Sequence, residues 1–206
     1  MIKNQFYFAI SLAFFLMFIL LSCAVMAHND FLSMLDLTCE HWFLALTSPR
    51  LITFFYIVAT LISPLTTAIF ILLIAIYLWF SRKQLVLGIL GLYFGGNALA
   101  LLVKNIVSRP RPNAQLVIDT GYSFPSGHTI SVFLFLCAGW MIINSMWASK
   151  LVNLKKIYFI VAVLIEGIVV ISRLYLGNHY LTDVLGSLLL GVSCYYLYRS
   201  VSVQVD

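Results

Sequence analysis

From Asn4 to Ala27 the chain runs without a charged residue, and further long apolar runs follow almost to its end. A helix needs about 20 apolar residues to cross the ~30 Å hydrocarbon core of a bilayer. Inside hydrocarbon each backbone N–H and C=O must find a partner within the protein, so only helices and closed barrels can span it. The runs here are continuous rather than alternating, which argues against a barrel. With 63% hydrophobic and 9% charged residues, a 206-residue chain has too little interior to hide its apolar side chains from water. The expected architecture is all-α and integral to the membrane. It is a single domain over 1–206, a bundle of six transmembrane helices with short interfacial helices between spans one and two.

The first span is expected over Asn4 to Ala27 and is read as retained. Val25-Met26-Ala27 could pass as a cleavage site and Leu20-Leu21-Ser22-Cys23 as a poor lipobox, but the run is long for a signal peptide. His28 to Arg50 mixes Asp30, Asp36, Glu40 and His41 with Phe31, Leu35, Trp42 and Phe43, the pattern of amphipathic helices lying at the interface. Leu51 to Ser81 is too long for one straight crossing. Ser63-Pro64 should divide an interfacial lead-in from a second span ending near Phe80. The third span is Leu85 to Val103, with Gly88, Gly91, Gly95 and Gly96 at spacings suited to close helix packing. A polar loop from Lys104 to Tyr122 follows, then a fourth span from about Ser126 to Trp147. After a basic turn at Lys150 to Lys156 come a fifth span, Ile157 to about Leu176, and a sixth, Leu181 to Tyr198.

The net charge of +5 would suggest nucleic acid in a soluble chain, but here the cations flank spans and report topology. With the amino terminus cytoplasmic, Lys3, Arg82, Lys83, Lys150, Lys155, Lys156 and Arg199 fall inside. Arg50, Lys104, Arg109, Arg111 and Arg173 fall outside. The bias is modest, and the outer cations cluster beside His128, His179 and Asp183. The four cysteines show no metal-ligand spacing, and a Cys23–Cys39 disulfide is possible without special support.

Three segments should meet on that outer face: Lys104 to Pro112, Pro125 to His128, and Ser172 to Asp183. Lys104, Arg111 and Arg173 offer three positive charges to a phosphate monoester of about −1.5 to −2. Arginine forks match phosphate oxygens while lysine acts as a point charge. Ser126 and Gly127 at a helix start would add a hydroxyl and backbone N–H groups, with glycine allowing close approach. His179 and Asp183 are four apart on one helix face, so the carboxylate can hold one imidazole nitrogen and leave the other as a nucleophile. His128, on another helix, could protonate a departing alkoxide and then activate water.

These residues resemble the type-2 phosphatidic acid phosphatase superfamily of membrane lipid phosphatases. Its lysine, six residues, Arg-Pro is met by Lys104, Arg111 and Pro112, and its Pro-Ser-Gly-His by Pro125 to His128. Its Ser-Arg, five residues, His, three residues, Asp is met by Ser172, Arg173, His179 and Asp183. The motif core is 104–183. The resemblance implies that His179 attacks phosphorus, Asp183 orients it and His128 is the acid–base. It implies that Lys104, Arg111, Ser126, Gly127 and Arg173 hold the phosphoryl oxygens, with no metal and no cofactor. The implied substrate is a lipid phosphate or diphosphate, with phosphatidylglycerophosphate, phosphatidate and undecaprenyl diphosphate as candidates. Membrane lipids are the implied partners, nucleic acid is not, and oligomeric state is open.

Singly, each feature has a plainer reading: the prolines end helices, Ser126 caps one, and His179–Asp183 is an ordinary helix pair. Their agreement in order and in membrane side outweighs that reading. Arg109 is expected to contact headgroups or the surface. Glu166 lies mid-span, seven residues before Arg173, and either borders the path of the lipid or makes a structural interhelical hydrogen bond. The rival functions are a phosphotransferase with the same intermediate, a vanadium haloperoxidase, which the apolar composition disfavours, and a non-catalytic transporter or scaffold. The expected location is a bacterial cytoplasmic membrane, crossed several times, with both termini inside and the site outside.

Overall fold

The computed structural model describes residues 2–146 and 152–202. Among these the chain forms eight helices: α1 (Ile2–Met26), α2 (Asp30–Ala45), α3 (Pro49–Leu61), α4 (Pro64–Leu78), α5 (Lys83–Val107), α6 (Gly127–Met146), α7 (Val152–Tyr175) and α8 (Leu181–Val201). The chain is a multi-pass membrane protein, with six segments long and apolar enough to cross: α1, α3 with α4, α5, α6, α7 and α8. Trp147 and Lys150, where the fourth span and the basic turn were expected to end and begin, lie outside the described residues.

Ser63-Pro64 does break the second crossing. Ser63 and Thr66 exchange a capping box, and Pro64 takes the first helical position, where its missing N–H costs nothing. The lead-in is not merely interfacial, however. The 15 residues of α4 rise only about 22 Å, short of the ~30 Å core, so α3 has to supply part of the span. Between spans one and two stands one 16-residue helix, α2, capped by the Asn29 side chain. Its one fully buried residue is charged, while several of its large apolar side chains point outward. Asp36 is 1% exposed, while Phe31, Met34 and Trp42 are each 60% or more exposed. That inversion suits a helix immersed at a lipid boundary.

Odd and even spans alternate in direction. The 79–82 turn and both described chain ends therefore lie at one end of the bundle, and α2, the 108–126 loop and the 176–180 turn at the other. Helices α1 and α8 are the most extensively packed pair. Ser11 and Ser193 fasten them by each donating its hydroxyl to the other's carbonyl, at 2.8 and 3.0 Å. Such bonds join helices where hydrophobicity offers no drive for association. Helices α5 and α6 are joined by the Ser131 hydroxyl donating to Asn97 Oδ1. Of the α5 glycines, Gly88 and Gly96 carry the close packing. A Cβ there would fall 2.6 Å from Tyr198 and from Leu134 respectively, whereas Gly91 and Gly95 meet nothing within 4 Å. The cysteines are free, so the possible Cys23–Cys39 bridge is absent.

Candidate active site

Helix α5 runs one turn past its expected end, so Lys104 stands on helix rather than in the loop. Its ammonium donates to the Tyr122 carbonyl at 2.9 Å. Ser108, left-handed at φ 50°, ends α5 and turns the chain into the loop that carries Arg109 and Arg111. Arg111 is held from several sides. Its Nη1 donates to the Asn178 carbonyl at 2.8 Å, its Nη2 to the Thr120 carbonyl at 3.0 Å, and its Nε approaches the Thr120 and Gly121 carbonyls at 3.2 Å.

The same Nη1 lies 3.2 Å from Nε2 of His179. A guanidinium can only donate, so this contact requires Nε2 to carry a lone pair and puts the ring proton on Nδ1. Nδ1 lies 3.5 Å from Oδ2 of Asp183, in reach but longer than a formed hydrogen bond. Asp183 is itself fixed. Its Oδ2 accepts the Tyr180 N–H at 2.9 Å, which starts α8, and its Oδ1 accepts Nη1 of Arg109 at 2.6 Å. Burial first, then the charges of Arg173, Arg111 and Lys104, push the His179 pKa well below its ordinary 6.5. The imidazole is neutral and its Nε2 is a base facing cations.

Arg173, at the end of α7, is buried. It reaches Oδ2 of Asp119 at 2.7 Å, and its Nε is a buried donor without a partner among the described residues. His128, in the first turn of α6, lies beside the backbone of Ala59 on α3 and within electrostatic range of Arg173 and His179. Ser126 is fully buried, and its N–H is already given to the Asp183 carbonyl at 3.3 Å. Backbone donors for an anion at this helix start must therefore come from Gly127 and His128 instead. A Cβ on Gly127 would meet nothing within 4 Å, so packing does not require glycine there and open space lies beside it.

The structure thus ties Arg111, Arg173, His179 and Asp183 into one network, with Lys104, Ser126, Gly127 and His128 around it. Sequence reasoning missed three members. Arg109 is not a surface contact: it is 15% exposed, stacks 4.0 Å over the Tyr180 ring and bridges Asp183 to Asp36. Asp36 receives Nη2 of Arg109 at 2.7 Å together with the N–H and hydroxyl of Thr182 at 2.9 and 2.7 Å. Burial works against the Arg109 charge, but Asp183 and Asp36 outweigh it and raise its pKa. Asp119 is the third. The signal for Gly177, also overlooked, was its place before Asn178-His179: at φ 66° its absent Cβ leaves room for the Ala114 carbonyl.

Among the described residues neither carboxylate oxygen of Glu166 has a hydrogen-bond partner, which argues against the structural-hydrogen-bond reading. It lines a cavity of about 530 Å³ between α1, α6, α7 and α8, together with Phe133, Cys137, Tyr158, Tyr195 and Arg199. Among the described residues no group of three His, Cys, Asp or Glu side chains is placed to hold a metal ion.

The pattern of the PAP2 superfamily matches residues 84–205. Phosphatidylglycerophosphatase B of Bacillus subtilis is 33% identical over 139 residues, 66% of this chain and 67% of that protein. Lipid phosphate phosphatase delta of Arabidopsis thaliana is 26% identical over 118 residues, 50% of this chain and 28% of that longer protein. The crystal structure of a transmembrane PAP2-type phosphatidylglycerolphosphate phosphatase from Bacillus subtilis matches with a TM-score of 0.84 at 27% identity, covering 95% of this chain and 97% of that one. Aquifex aeolicus LpxE shares the fold, with a TM-score of 0.60 at 24% identity over 80% of this chain and 94% of that one. Fold and relatives together are those of an integral membrane phosphatase. Matched over more than half its length, the chain belongs to the PAP2 superfamily.

Proposed function

We propose that the chain removes the terminal phosphate of a membrane lipid phosphate or diphosphate through a phosphohistidine on His179, without a metal cofactor. The observation that carries this reading is the buried, unpartnered Nε of Arg173 beside Arg111 and a neutral His179. A buried donor left without an acceptor costs free energy in the resting protein, and a phosphoryl oxygen would satisfy it.

In the proposed reaction, phosphate oxygens take over the guanidinium groups and free Nε2 of His179. Nε2 attacks phosphorus, the bond from phosphorus to the lipid oxygen breaks, and His128, which takes up a proton as the dianionic phosphate enters beside it, gives that proton to the departing oxygen. Asp183, held by Arg109, is positioned to receive the Nδ1 proton in a hydrogen bond as positive charge grows on the ring. Water, deprotonated by His128, then attacks the phosphohistidine and releases inorganic phosphate. Lys104, Arg111 and Arg173 neutralise charge that spreads over the equatorial oxygens. The apolar cavity at Glu166, about 10 Å below Arg173 along α7, is the proposed seat for part of the lipid tail.

The relatives make phosphatidylglycerophosphate the first substrate to test, with phosphatidate and undecaprenyl diphosphate beside it. The proposed setting is a bacterial cytoplasmic membrane with the site outside and both termini within. Purified protein in detergent should release inorganic phosphate from at least one of these lipids with chelator present. His179→Ala should abolish release and the acid-labile phosphoenzyme. Near-normal turnover in that variant, or a strict need for added magnesium, would overturn the mechanism.

A further inference from the structure

We infer that Asp119 is a resident anion in the phosphoryl seat, and that its carboxylate sets the charge a headgroup must carry to displace it. The inference rests on the reading of Arg111 and Arg173 as phosphoryl-binding groups. Oδ2 of Asp119 lies 2.7 Å from Nη2 of Arg173 and 3.2 Å from Nη1 of Arg111, and that same Nη1 faces Nε2 of His179. One carboxylate oxygen therefore bridges the two arginines that would grip a phosphoryl group, beside the nitrogen that would attack it.

The loop is fastened in a way that delivers this carboxylate. Gln115 Oε1 accepts the Asp119 N–H at 2.9 Å and the Asn178 side-chain N–H at 3.1 Å. The Leu116 N–H donates to the Leu176 carbonyl at 2.9 Å, and Asn178 Nδ2 also donates to the Val117 carbonyl. The loop is thus pinned to the turn that carries His179. Asp119 keeps a third of its side chain in contact with the outside, at 33% exposure, so it can leave without unpacking the bundle.

Charge decides which ligands succeed. A phosphodiester headgroup carries one negative charge and two unesterified oxygens, so it offers the arginines little that Asp119 does not already offer. A phosphomonoester brings about −1.5 to −2 and three oxygens, enough to engage both arginines and the vacant Nε of Arg173. Asp119 thereby works as a specificity-determining residue that favours monoesters in a leaflet crowded with diesters. Its return to the arginines after turnover would help expel inorganic phosphate.

The test is Asp119→Asn in the full-length protein, which removes the charge and keeps the shape. Inhibition by inorganic phosphate should tighten about tenfold, equivalent to ~1.4 kcal/mol. Vesicles of phosphatidylglycerol, a diester, should become inhibitory, and KM should fall without a rise in kcat. Phosphate and diester inhibition at wild-type strength, or weaker, would overturn the inference. Asp119→Ser carries the same test if the asparagine variant does not fold. Thermal stabilisation by phosphate reads occupancy of the seat without turnover. A tighter phosphate response in a protein that forms no phosphohistidine would therefore sink the catalytic reading and leave this one standing. Normal turnover with an unchanged phosphate response would do the reverse.

Discussion

Nη1 of Arg109 lies 2.6 Å from Oδ1 of Asp183, so the carboxylate that faces His179 is itself held by a half-buried cation. The other amino group of Arg109 reaches Asp36 on α2 at 2.7 Å. Helix α2 is thereby connected through one side chain to the proposed nucleophile's partner.

Removing Arg109 should damage both fold and chemistry. Arg109→Ala leaves the buried carboxylates of Asp36 and Asp183 without the cation they share, a loss of about 3–5 kcal/mol for breaking a buried pair from one side. Asp36→Asn keeps the hydrogen-bonding shape and should cost less stability, while loosening Arg109 and lowering kcat more than it raises KM. Thermal unfolding and steady-state kinetics on the two variants would check this, and a wild-type unfolding midpoint for Arg109→Ala would refute the structural role.

His179 also predicts a direction for stability against pH. Its folded pKa lies well below 6.5, so between the two values the unfolded chain binds the proton that the folded site rejects. The contribution is fully present above about pH 6.5 and is lost as pH falls from there toward the folded value. The unfolding midpoint should decline on acidification over that window, and His179→Gln should flatten the decline. Parallel curves for the two proteins would assign the acid sensitivity to other groups.

Glu166 offers a test of where the lipid tail lies. Glu166→Gln should leave turnover of a short-chain, water-soluble phosphate ester unchanged and shift KM for long-chain substrates. If neither turnover nor chain-length preference moves, the cavity beside Glu166 plays no part in binding the substrate.

Ile118, 86% exposed on the loop beside Asp119, reports the side of the membrane. A cysteine there should react with an impermeant maleimide added outside intact cells. Labelling seen only after the membrane is opened would invert the proposed orientation.

The spans were readable because uncharged runs of the right length can do little else in hydrocarbon. The motif residues were readable because their spacing falls at the ends of those runs. The boundary at Ser63-Pro64 was visible for local reasons, through a cap and a proline, but the role of α3 depended on the length of α4, which only the structure supplies. Arg109 and Asp36 were hidden for a different reason. They are far apart in sequence, each looks like an ordinary surface charge, and their pairing exists only once α2 folds over the site. Asp119 was overlooked likewise, since a carboxylate in a polar loop gives no hint of the two arginines it will meet.

Asp183 closes the first turn of α8 through the Tyr180 N–H and faces His179 with the same oxygen. Winding that helix and orienting the proposed nucleophile are therefore a single event. A chain inserted in the bilayer with α8 frayed at this end would hold its arginines and its histidine yet have no oriented base. On the proposed mechanism such a protein would be silent until the last helix seats, and newly made, half-assembled copies would strip no phosphate from lipids around them.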